Sequence, residues 1–469
     1  MGAGTRPAPG RAGGAADDGL RRPPVDEVTQ LATFVATFDR FPARALKLAR
    51  FGFLDWFGVA LAGSRWPAAE ILADWARSLA EKGVSTVVGR GFKTGPDRAA
   101  LLNGTFAHIL DFDDTHPEVI LHASAPVCAA LLALAEPLGA SGRQVLESYI
   151  VGFEAGVRVA RALWPSHYER GWHMTGTAGS LAAAAAAARL LGLGPQETAA
   201  ALSLAATQAG GLRVNFGTMA KSLHAGRAAA NGVVSAQLSA RGFTAAPNGL
   251  TGRLGYISVT AEGGNPAVLA AGLGERWEIE ENSFKPFACG LVTHPTIQAV
   301  LELRAQVGGG LERLERLRAR VNPLVLELTG IPRPETGLQG KFSIYYAAAV
   351  AWVDGKAGEA QFTDGAVRRP EVRALLGRVQ VEADGNLKPD EAVVEVTLVD
   401  GTTYRRSVHG QKGTPANPMT EAELAEKFLD LATPTLGAGR ARELLGALGE
   451  LESLPNVAVL MGLAAGPGD

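Results

Sequence analysis

Cysteine is almost missing from this chain. There are two in 469 residues, Cys128 and Cys289, each among small or apolar neighbours. That excludes a disulfide framework and fits a reducing, cytoplasmic compartment. It also excludes the usual thiolate ligand set of an iron–sulfur cluster. Neither a CxxC nor an HExxH spacing occurs, so a zinc site has no support, and we expect no cofactor and no metal. An excess of charge is lacking too. Lys plus Arg number 45 against 47 Asp plus Glu, a formal net charge of -2. No global field then attracts nucleic acid or an anionic membrane, and neither is expected as a partner. A long apolar run is also lacking. The nearest candidate, "GTAGSLAAAAAAARLLGLG" (176–194), is mostly alanine and carries Arg189, which reads as a closely packed buried helix.

What is present is helical periodicity. "VTQLATFVATF" (28–38), "RALKLARFGFLDWFGVALAG" (44–63) and "AAEILADWARSLAEKG" (68–83) repeat apolar residues at i, i+3, i+4. Further helices are expected near 95–110, 123–138, 143–164, 176–192, 195–209 and 222–241. Near 283 the character changes. "LERLRARVNPLVLELTG", "LLGRVQVEAD" and "AVVEVTLVDGTTYRRSV" carry β-branched residues with partial alternation, and Asp400-Gly401 marks a hairpin. One helix, "KFSIYYAAAVAWVDG" (341–355), lies among them. After "KGTPANPMT" the chain returns to helix. The expected fold is mainly α: a disordered tail over 1–26, a helical domain over 27–282, an inserted α+β lid over 283–409, and a helical return over 410–469 that packs back on the first domain.

Ionisable groups gather in islands among small residues. "HILDFDDTHPEVILH" (108–122) holds four acids and three of the eight histidines. Similar islands are "GWHMTGTAGS" (171–180), "FGTMAKSLHAGRAAANG" (216–232), "SFKPFACGLVTHP" (283–295) and "QGKFSIYY" (339–346). Each group has a bland reading as well. His108 fits a packing histidine inside a helix. Asp113 and Asp114 fit a helix cap or a salt bridge, His116 a turn, His294 a helix start, and Arg227 a partner for a buried carboxylate. His224, three residues after Lys221, fits one helix face. Collectively, Asp111, His122, His173, Lys221 and Lys285 sit at element ends, where binding and catalytic groups concentrate.

These islands, in this order, resemble the MmgE/PrpD family, which includes 2-methylcitrate dehydratase, cis-aconitate decarboxylase and iminodisuccinate epimerase. The resemblance spans about 28 to 435 through "FLDWFGVALAGS", "NGTFAHILDFDDT", "HASAPV", "GWHMTGTAG", "KSLHAGRAAANGVVSAQLSARGFTA", "FKPFACGLVTHP" and "NPMTEAELAEKF". It implies a helical domain with a lid, a homodimer, and a site in the cleft. By motif it implies Asp111, Thr115, His122, His173 and Lys221 as pocket residues, with Lys285 and Tyr346 from the lid. His122-Ala123 departs from the His-Pro of many relatives.

The implied substrates are small di- or tricarboxylates. Lys221 and Lys285, expected on opposite walls, would hold carboxylates. Thr115, Tyr346 and His224 would add polar contacts. The shared difficulty is a carbanion beside a carboxylate, which needs a group titrating near working pH. His173 is the leading proton-transfer residue, His122 its partner, and Asp111 the group that orients a histidine. The expected activity is a 2-methylcitrate dehydratase-like loss of water. Decarboxylation of the cis-aconitate type and epimerisation of the iminodisuccinate type are the alternatives, and a catalytically silent dimeric binding protein the reading of another class.

Overall fold

Asp26 accepts the Thr29 amide at 2.9 Å and so caps the first helix, Glu27–Thr37. The structure is a computed structural model that describes residues 1, 2 and 26–466. Residues 3–25 of the expected tail lie outside the described residues. Twenty α-helices and two small sheets make up the described chain, so the fold is mainly α, as expected. Among the described residues no helix is long and apolar enough to cross a membrane.

The expected helices form, with shifts at their ends. The one placed over 68–83 stops at Ser78, because Ala80 takes a positive φ of 48°. The chain then makes a small ribbon, Ser85–Thr86 against Lys93–Thr94, which periodicity did not reveal. The alanine-rich helix Met174–Leu190 is buried from Met174 through Ala188. It is sandwiched between Gly142–Leu163 and Met219–Ser239. Side chains this small let backbones approach closely, so alanine here brings neighbouring helices within reach of one another rather than supplying bulk.

One crossing sets up the centre of the molecule. Helix Met219–Ser239 lies on helix Pro96–Ile109 at Gly226, where an added Cβ would sit 2.0 Å from the Leu101 carbonyl oxygen. Only glycine allows this contact. It carries Lys221, near the start of one helix, to Asp111, just past the end of the other.

Beyond residue 283 a four-stranded sheet forms in the order Val379–Ala383, Leu314–Val321, Glu391–Leu398, Thr403–His409. The first pair is parallel and the other two antiparallel. Thr402 donates to the Asp400 carboxylate at 2.8 Å across the expected hairpin, and Gly401 has φ of 84°. Helices His294–Val307 and Ile344–Asp354 pack on the sheet. Helix Glu421–Leu436 then returns to Ala43–Gly63, where Lys427 reaches Asp55 at 2.6 Å and Arg50 reaches Glu421 at 2.7 Å. We propose the division anticipated above, with 27–282 and 410–469 as one body and 283–409 as the other; these return contacts support it.

Gly226→Ala should therefore be costly. Overpacking of this kind costs about 1–3 kcal/mol. Gly446, inside helix Ala438–Gly449 with open space around it, is the control. There alanine should stabilise by about 0.5–1 kcal/mol through helix propensity. Thermal melting compares the two, and a Gly226→Ala chain melting at or above wild type would contradict the close crossing.

Candidate active site

Helix Pro96–Ile109 ends two residues before Asp111, whose φ of 50° turns the chain sharply. Aspartate tolerates the left-handed region better than most residues, at a cost of about 1–2 kcal/mol. The following loop is pinned at Thr115, which exchanges backbone hydrogen bonds of 2.9 Å with Ser283 in both directions. Lys285 is thereby brought under the loop, where it donates to the Asp111 carbonyl at 2.8 Å.

The Asp111 carboxylate is buried and lies between two ammonium groups. Lys221 Nζ is 2.6 Å from Oδ1 and Lys285 Nζ is 3.3 Å from the same oxygen. Burial opposes ionisation of Asp111, but the two lysines outweigh it and hold the group well below the ordinary carboxylate range. The lysines thus converge on one oxygen instead of standing free on opposite walls, as the sequence had suggested. Asp111 does not orient a histidine either, because its nearest contact with one, His122 Nε2, is 3.9 Å long.

The orienting carboxylate is Asp113. Its Oδ2 lies 2.8 Å from His108 Nδ1 and 3.2 Å from His122 Nδ1. Burial opposes its charge too, yet the two imidazoles keep it well below the usual range. An ionised carboxylate only accepts, so both Nδ1 atoms carry hydrogen. Thr115 Oγ1 sits 3.1 Å from His122 Nδ1, so its hydroxyl helps fix this ring. Burial pushes His122 down to about 4, against the pull of Asp113.

His173 is buried beside them. Its ring centroid is 5.7 Å from that of His108 and 5.0 Å from that of Phe216. Its Nδ1 lies 3.0 Å from His224 Nδ1. Burial, followed by neighbouring cationic groups, holds it well below the ordinary imidazole range. A cavity of about 560 Å³ is lined by Asp111, Thr115, His122, His173, Lys221 and Lys285. Six of the eight expected site residues therefore share one chamber. Two do not. His224 does not line this cavity and stands behind His173. Tyr346 lies one turn inside helix Ile344–Asp354, with its ring against Phe362 and its hydroxyl on the Gln361 carbonyl at 2.5 Å. The same island does face the site, but through Lys341 and Phe342, which precede the Ser343 cap. Asp113 was the other functional group that sequence reading left among structural options.

His108, Asp111, Asp113 and His122 bring ligating atoms within 4.8 Å of one another, a spacing a metal could use. The donor chemistry argues against it. A divalent ion there would face two ammonium groups already bound to Asp111.

Beneath the loop, Asp114 accepts from Ser124 Oγ at 2.5 Å and from Asn282 Nδ2 at 2.6 Å, and burial pushes its carboxyl up to about 8. Lys427 binds Asp55 and also donates to the carbonyls of Phe112 at 2.8 Å and Lys285 at 2.9 Å. The returning helix thus clamps both halves of the site.

Comparison with known proteins gives the family. The MmgE/PrpD N-terminal domain matches residues 29–269 and the MmgE/PrpD C-terminal domain residues 287–450. A cis-aconitate decarboxylase of Aspergillus terreus is 29% identical, covering 96% of this chain and 97% of the relative. A cis-aconitate decarboxylase-like protein of Aspergillus oryzae is 29% identical over 91% of this chain and 94% of its own length. The cis-aconitate decarboxylase of Homo sapiens is 28% identical over 90% and 91%.

The buried titrating groups make stability depend on pH with a definite sign. Burial pushes His122, His167 and His224 down to about 4 and His294 to about 3. Unfolded histidine titrates near about 6.5. Between about 6.5 and 4 the unfolded chain thus binds protons that these folded side chains refuse, and stability falls as pH drops. Asp114 at about 8 and Glu154 at about 7, both raised by burial, act in the opposite sense. Four histidines outnumber two carboxyls, so melting at pH 5 should come well below melting at pH 7. Equal or higher melting at pH 5 would mean that these imidazoles are charged in the folded chain.

Proposed function

The chain belongs to the MmgE/PrpD family, and from that premise we propose that it is a carboxy-lyase that decarboxylates a tricarboxylate of the cis-aconitate type. One observation carries the reading. A neutral imidazole, His122, has its Nδ1 fixed by Asp113 and its Nε2 free, beside a lysine pair whose two positive charges meet one negative charge.

The local surplus of positive charge favours binding of carboxylates. A bound polyanion raises the affinity of His122 and His173 for a proton, so the substrate brings a proton into the site. In the reaction, the C–C bond to the carboxylate on the methylene carbon breaks. Its electron pair joins the neighbouring double bond and carbon dioxide leaves. The carbon at the far end of the allylic system, next to another carboxylate, takes the proton from His122 or His173. Lys221 and Lys285 stabilise the negative charge that develops on that carboxylate. One proton is consumed per turnover. Dehydration of a 2-methylcitrate-type acid would use the same groups with His122 as base. Relatives that are cis-aconitate decarboxylases support decarboxylation over that reaction. In the proposal the enzyme needs no metal, and a chelator leaves turnover unchanged. It works as a homodimer, a reading supported by the exposed apolar Leu212, Val214, Met219 and Leu223 near the site.

Proton NMR in deuterium oxide tests the reaction. Cis-aconitate should lose carbon dioxide and gain one deuterium at the new methylene group. If 2-methylcitrate forms an alkene while cis-aconitate stays intact, the enzyme is a dehydratase. No turnover of any acid supports a silent binding protein. Asp113→Asn tests the role of His122, because an amide can donate to Nδ1 and move the hydrogen to Nε2. Turnover should fall by about 100-fold to 10,000-fold with the fold intact. A loss under threefold would remove Asp113 and the His122 tautomer from the mechanism.

A further inference from the structure

Four lysines are buried among the described residues: Lys221, Lys285, Lys341 and Lys427. Three have a carboxylate partner, Asp111 for the first two and Asp55 for the last. Lys341 has none within ion-pair distance among the described residues. Its ammonium donates to the Ala288 carbonyl at 2.8 Å and lies 5.7 Å from the Trp66 ring and 5.2 Å from the Phe362 ring. Two of its three N–H donors are left over. A buried ammonium without a counterion destabilises a fold, so the chain carries a burden here that its packing does not explain.

Lys341 lines a second cavity of about 670 Å³. His108 lines it as well, with Nδ1 on Asp113 and a buried Nε2 that has no partner. The two cavities meet at Asp111, Lys221 and Phe342, each of which lines both. A molecule lodged at that junction reaches the histidines on one side and Lys341 on the other. The acids of the second cavity are already engaged: Glu359 accepts the Trp66 indole N–H at 3.1 Å and Asp364 accepts the Gly337 amide at 2.8 Å. Arg65, exposed on the lining, has no ion pair among the described residues.

We propose that Lys341, with His108, forms a second carboxylate subsite on the far side of the Asp111–Lys221 pair, and that it selects tricarboxylates over dicarboxylates. The inference rests on the polycarboxylate reading above. Lys341 takes one carboxylate of the substrate as its missing counterion. His108, whose buried Nε2 has no hydrogen-bond partner among the described residues, supplies the second polar contact to the same group. The remaining carboxylates stay with Lys221 and Lys285.

Calorimetric titration of the full chain tests this with propane-1,2,3-tricarboxylate, which lacks the double bond needed for reaction. Pentanedioate and 2-methylbutanedioate each lack one of its carboxylates. Lys341→Met removes the charge, and Lys341→Gln also keeps a donor for Ala288. Both variants should lose about 10- to 150-fold in affinity for the tricarboxylate. The dicarboxylate that lacks the carboxylate taken by Lys341 should lose less than threefold. Lys341→Met should melt at or above wild type, since it removes an unpaired buried charge. Unchanged tricarboxylate affinity in both variants overturns the subsite while leaving the proposed activity intact. An equal loss for all three acids makes Lys341 a packing residue and also overturns it. A wild-type chain that binds none of the acids refutes the polycarboxylate reading, and the subsite with it.

Discussion

The centre of this protein depends on compensating one buried carboxylate. Asp111 is 4% exposed and fully charged, so the fold must deliver cations to it. Lys221 arrives because helix Met219–Ser239 can lie against the Leu101 carbonyl at Gly226. Lys285 arrives because the chain at Ser283 pairs with Thr115. Lys427 braces both from behind through the carbonyls of Phe112 and Lys285. A carboxylate left without these partners would cost several kcal/mol, so the loop, the helix crossing and the helical return are parts of one electrostatic arrangement.

The same arrangement sets the state of the histidines. Burial, reinforced by lysine charge, keeps His122 and His173 neutral, while Asp113 fixes which nitrogen of His122 holds the lone pair. An anion entering the chamber changes that balance at once, because it offsets the positive surplus that depresses the imidazoles. Substrate binding and proton uptake are thereby linked, and the reaction class proposed here consumes the proton that binding supplies.

Much of the site was legible from residues alone. Asp111, Thr115, His122, His173, Lys221 and Lys285 come together in one chamber, as their placement beside glycine and alanine at element ends had suggested. The errors fall where a side chain's direction decides its role. Tyr346 and Lys341 are five residues apart in one island, yet the Ser343 cap turns the first onto Phe362 and the Gln361 carbonyl and leaves the second facing the cavity. His224 shares a helix with Lys221, and its ring meets His173 outside the chamber. Which acid of "DFDDT" pairs with lysine, which with histidine and which stays protonated is equally invisible in the letters. Three aspartates within four residues receive three different environments.

The sequence by itself determined the class of the fold, the islands that meet, and the family. Each of these follows from periodicity, composition and motif order, which are local properties of the chain. Only the tertiary structure decided the charge states: Asp111 ionised by two ammonium groups, Asp114 raised to about 8 by burial and by the nearby Asp55, His122 lowered to about 4, and Lys341 buried without a counterion at about 8. The physical reason is that ionisation depends on burial and on which charges lie within a few ångströms. Those distances join residues more than a hundred positions apart, as between Asp111 and Lys221, and exist only once the helices have packed.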